Sequence, residues 1–131
     1  QYRRELWDDY PSTGSHNSNE SVGIALLKSG QVSNGITALF AEAFALGEDA
    51  HDELARLYET GIDTNLAQFD KRILACFATT AADGFIPAKK ALARIYGKGL
   101  GVAQDLQKAE MVLKGLPKEE MNAVLDEIEG R

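Results

Sequence analysis

Cysteine, histidine, proline and tryptophan are scarce in this chain, and each scarcity removes a class of protein. A single cysteine, Cys76, among 131 residues allows no intramolecular disulfide, so the fold is not a disulfide-stapled miniprotein. Cys76 lies in the apolar stretch 73–82, with no histidine nearby in sequence to activate it, and reads as an inert core thiol rather than a nucleophile. Only two histidines occur, His16 and His51. His51, Asp52 and Glu53 are consecutive on a helix and diverge, so they do not form a metal site. They read as a solvated first turn whose acids suit the helix dipole. Asp8-Asp9 and Glu119-Glu120 read as surface acids on the same ground. No run approaches the ~20 apolar residues of a bilayer-spanning helix, so no membrane span is expected.

Positive charge is the minority. Lys and Arg number 14 against 20 Asp and Glu, for a formal net charge of −6. Such a surface repels phosphate backbones and anionic headgroups, which argues against a nucleic-acid partner. Gly97, Gly99 and Gly101 resemble a phosphate loop only superficially, because they end a helix rather than a strand. No catalytic set, cofactor, metal or small-molecule substrate is expected. What is plentiful is core: hydrophobic residues make up 44%, enough for one domain of this length.

Residues 1–20 differ from the rest. Tyr2, Leu6, Trp7 and Tyr10 form an aromatic N-terminal segment, and 11–19 is a polar stretch with Pro and Gly that reads as a flexible linker. The start at Gln1 rather than Met raises the expectation of export to the periplasm or envelope, with the cytoplasm as the alternative. From 21 to 131 the apolar residues recur at three and four, which predicts a helical domain with helices near 21–29, 33–46, 50–60, 67–82, 87–97, 105–115 and 118–129. Gly30, Gly47, Gly61, Gly84, Gly99 and Gly115 fall where left-handed helix C-caps are expected. Asn34, Asp49, Asp105 and Pro117 fall near helix starts, and no segment alternates like a strand.

Two segments repeat. Ala50, Leu54, Ala55, Arg56, Tyr58 and Gly61 recur as Ala88, Leu92, Ala93, Arg94, Tyr96 and Gly99, each 38 residues on. That period suits a helix–turn–helix unit. Small Ala residues let helices approach, Leu and Tyr four apart build one packed stripe, and Gly turns the chain.

The run Ala88-x3-Leu92-Ala93-x2-Tyr96-x2-Gly99-x-Gly101-Val102-x2-Asp105-x2-Lys108-Ala109 resembles the Sel1-like repeat. It departs in Ala93 at a usual Gly, in a turn lengthened by Leu100 and Gly101, and in lacking Trp on its second helix. The copy at 50–84 keeps Ala50, Leu54, Tyr58, Gly61 and the ending Ala81-Ala82-Asp83-Gly84, with Arg72-Ile73 in place of Lys-Ala. A degenerate copy over 21–47 has Leu27 for Tyr and Gly30 for Gly. The resemblance implies a right-handed superhelix of antiparallel helix pairs, about three repeats, closed by a capping helix at 117–131.

Packing of Leu54, Leu57, Tyr58, Leu92, Ile95 and Tyr96 inward leaves Glu53, Arg56, Lys89, Lys90 and Arg94 on exposed or groove-facing positions. With Trp7 these are the candidate partner-binding residues, Arg56 and Arg94 forming a short ladder, or Arg56 bracing its own helix through Asp52. The expected role is a non-catalytic protein–protein adaptor of the bacterial cell envelope. The alternative is an immunity protein that neutralises a secreted effector enzyme.

Overall fold

The computed structural model describes residues 21–130, and within them the fold is all-helical. Seven helices follow one another: α1 (Val22–Lys28), α2 (Val32–Phe44), α3 (Glu48–Thr60), α4 (Lys71–Ala82), α5 (Ile86–Lys98), α6 (Leu106–Val112) and α7 (Lys118–Glu129). The aromatic segment with Trp7, the linker at 11–19 and His16 lie outside the described residues. The only extended pairing among those described is an isolated bridge between Ile62 and Leu66 inside a turn.

Packing is between sequence neighbours and next-but-one neighbours. α2 touches α1, α3 and α4; α5 touches α3, α4, α6 and α7; α3 also rests on α1. Their apolar faces meet in a core running from Ile36 and Leu39 through Leu54, Tyr58, Ile73 and Phe77 to Leu92 and Ile95. A second, smaller core of Ala93, Ala109, Leu113, Leu116 and Val124 holds α7 against the outer side of α5.

The carboxylate of Glu42, near the end of α2, ties down the start of α1. It accepts from Ser21 Oγ at 2.5 Å, Val22 N at 2.8 Å and Gly23 N at 3.2 Å. Val22 N and Gly23 N are orphan backbone donors at a helix N-terminus, where a negative group is favoured. The bonds bring opposite helix ends together, so α1 and α2 are antiparallel.

The 38-residue period is written into the backbone. Leu46 N bonds Ala43 O at 2.9 Å and Gly47 N bonds Glu42 O at 2.8 Å; 38 residues on, Gly84 N bonds Ala81 O at 2.9 Å and Phe85 N bonds Thr80 O at 3.0 Å. Both are Schellman endings, which need a left-handed residue. Gly84 supplies it at φ 91°, but in the earlier unit Leu46 does so at φ 66°. Gly47 was the residue expected there; it is instead the extended N-cap of α3. After the two tyrosines the turns also match. Phe69 N bonds Tyr58 O at 2.7 Å and Asp105 N bonds Tyr96 O at 2.8 Å. Gln68 Nε2 donates to Glu59 O and Gln104 Nε2 to Gly97 O, each at 2.8 Å. Here the spacing falls to 36 because the first turn is two residues longer. At that spacing Ile73 matches Ala109 and Phe77 matches Leu113, all fully buried.

The largest shift of a helix start from expectation is at α4; α3 begins two residues early, at Glu48, and the others move by one or none. α4 begins at Lys71, not 67, because Phe69 turns left-handed at φ 57° and Asp70 caps the helix by accepting from Arg72 N at 2.9 Å. Asp105 caps α6 as expected, accepting from Lys108 N at 3.0 Å.

Candidate functional site

The two repeated arginines converge on one cleft. Arg56 of α3 and Arg94 of α5 line a hollow of about 150 Å³ together with Ala55, Glu59, Ala91 and Ile95. Arg56 also lines a wider groove of about 460 Å³ between α1 and α3, floored by Ile24, Leu27, Val32, Leu57 and Ile62. One face, presented by α1, α3 and α5, therefore carries an apolar groove, an arginine ridge and a second cleft.

Each arginine already grips a carboxylate. Arg56 bonds Glu53 one turn back, with Nε to Oε1 at 3.4 Å. The expected brace through Asp52 is not formed, since Asp52 turns instead to His51 Nδ1 at 3.3 Å. Arg94 Nε reaches across to Glu127 Oε2 of α7 at 2.9 Å. Lys90 pairs with Glu120 of α7 at 3.0 Å, and Lys89 Nζ lies 3.5 Å from Lys114 O. Of the candidate cations, Arg56 is the most open, with 61% of its side chain exposed against 38% for Arg94. Glu53 sits between groove and arginine, and Trp7 lies outside the described residues.

α7 can lie this close to α5 because Gly97 faces it. A Cβ at Gly97 would stand 2.6 Å from Ile128 Cγ2. No motif flagged Gly97 for packing, nor Glu120 and Glu127 as its partners in covering α5; their roles come from tertiary placement.

The repeat positions are built as the stripe requires. Leu54, Tyr58 and Leu92 are buried, and Gly61 and Gly99 turn at φ 70° and 72°. Tyr58 is buried in the core, its hydroxyl donating to Leu100 O at 2.8 Å and its ring 5.4 Å from that of Phe69. Burial pushes its phenol upward. Tyr96 departs from the expected equivalence. It is only half-buried, with the Lys108 ammonium 4.4 Å from its ring centroid.

His51 corrects the reading of a solvated first turn. It is 2% exposed, its ring 4.4 Å from Phe77 and 5.4 Å from Phe85, and its Nε2 has no hydrogen-bond partner. Burial holds its pKa below the ordinary 6.5, outweighing Asp52 and Glu48, while Arg94 adds to the depression. Cys76 is buried as expected, and desolvation pushes its thiol up to about 11. Among the described residues, no group of three or more His, Cys, Asp or Glu could hold a metal ion. No helix of the described residues is long and apolar enough to cross a membrane.

No family model, curated protein or solved structure matches this chain. The likeness to Sel1-like repeats therefore rests on the chain's own residues.

Proposed function

We propose that this chain is a non-catalytic adaptor that holds another protein on the face formed by α1, α3 and α5, and that its helix pairs are Sel1-like repeats in a right-handed superhelix capped by α7. What supports the solenoid reading is the paired set of turns: the same Schellman endings, the same Gln68 and Gln104 clasps, and contacts between next-but-one helices. The observation that carries the binding reading is the convergence of Arg56 and Arg94 on one cleft beside an apolar groove. Guanidinium forks recognise carboxylates in two-point geometry, and an apolar groove beside them supplies area. The partner segment is then amphipathic, with acidic side chains beside apolar ones.

The test is to replace both arginines by alanine and to measure recovery of the native complex from the source cells. Loss of the complex is expected while helicity stays intact, since exposed ion pairs contribute only about 0–1 kcal/mol each. Full recovery of the complex by the double variant defeats the reading. A tight one-to-one complex with a toxic enzyme selects the immunity role; a multi-protein envelope assembly selects the adaptor.

A further inference from the structure

The end of the molecule where α2 passes into α3 carries apolar side chains that the fold does not bury. Val22 is 59% exposed, Phe44 51% and Leu46 44%. Glu42 ties together the segments that carry Val22 and Leu46: its carboxylate accepts from Val22 N, and its carbonyl accepts from Gly47 N, one residue past Leu46. Leu46 is the telling member. It holds φ 66° in a Schellman ending whose counterpart 38 residues on is Gly84, and α1 ends with the same bonds around Gly30 at φ 89°. A left-handed leucine is strained where glycine is not. The turn itself gains nothing from the side chain that a glycine would not supply more cheaply. Strained backbone that projects a side chain outward is a feature of binding sites.

The rim of this patch is acidic. Glu48 and Asp49 follow directly and are exposed, and Glu42 sits beneath. A second copy would set acid against acid in a chain of net charge −6, which disfavours self-association.

We propose that Val22, Phe44 and Leu46 anchor a protein partner that presents apolar side chains flanked by lysine or arginine. The site is separate from the arginine face and does not depend on it.

The test uses the full chain, ¹⁵N-labelled, titrated with a synthetic amphipathic helix of Leu and Lys, and with Leu/Glu and Ser/Lys peptides of equal length. The Leu/Lys peptide should shift the amides of Val22, Phe44, Leu46 and Glu48, bind at least about 10-fold more tightly than either control, and weaken with salt. Leu46→Gly combined with Phe44→Ser should weaken it about 10-fold or more, while Leu46→Gly alone raises the melting temperature by about 3–6 °C. Arg56→Ala with Arg94→Ala should leave the titration unchanged. Equal binding by the Ser/Lys peptide, shifts centred elsewhere, or an unaltered affinity in the variant carrying Leu46→Gly and Phe44→Ser would overturn the proposal. So would a concentration-dependent dimer lost in that variant, or about 10-fold tighter peptide binding once residues 1–20 are removed; these would assign the patch to a second copy or to the chain's own N-terminal segment.

Discussion

His51 shows how much a single side chain can depend on its surroundings. In sequence it stands beside Asp52 and Glu53 and reads as part of a wet helix start. In the fold it lies between Phe77 and Phe85 with Nε2 unpartnered. A proton on that nitrogen would place charge among aromatic rings with no acceptor, so the neutral form is favoured. The unfolded chain begins to bind this proton near pH 6.5, whereas the folded chain resists until lower pH. Stability from this residue is therefore complete above pH 6.5 and is lost as pH falls below it. Urea unfolding should show lower stability at pH 5.5 than at pH 7.5, by no more than the limit of ~1.4 kcal/mol per pH unit for one proton. His51→Phe should remove most of that loss. An equal loss in both proteins would mean that the buried imidazole is not the acid-sensitive group.

At the scale of elements, Tyr58 and Tyr96 occupy the same place in repeated helices yet differ in burial. Tyr58 reaches forward to Leu100 in the next unit's turn, which closes over it. Tyr96 packs against the same core from its edge, takes Lys108 of its own unit over its ring, and stays half-buried. Tyr58→Ala should cost about 3–5 kcal/mol and Tyr96→Ala about half as much, measured by chemical denaturation. Equal costs would contradict the difference in packing. The helices themselves were legible because period and glycine punctuation are local: all seven appear, and Asp105 caps α6 as expected. Leu46 was not legible as a left-handed residue, since its conformation follows from α2 and α3 having to meet across a three-residue connection. The longer turn before α4 hid Asp70 as a cap for a similar reason. Gln68 and Gln104 were missed because their spacing, 36, departs from the 38 of the preceding helices.

For the whole molecule, the identities at one spacing were enough to place Arg56 and Arg94 on equivalent positions. They were not enough to show that α7 would meet Arg94 through Glu127 and Lys90 through Glu120. That contact leaves Arg56, at the junction of groove and cleft, as the more available of the pair. The most direct measurement is site-specific photo-crosslinking in native cells, with the reactive group placed at Arg56 or at Thr79, an exposed position on α4. A discrete protein adduct is expected from position 56 and none of comparable yield from position 79. Equal adducts at both positions, or an adduct from position 79 alone, would contradict it.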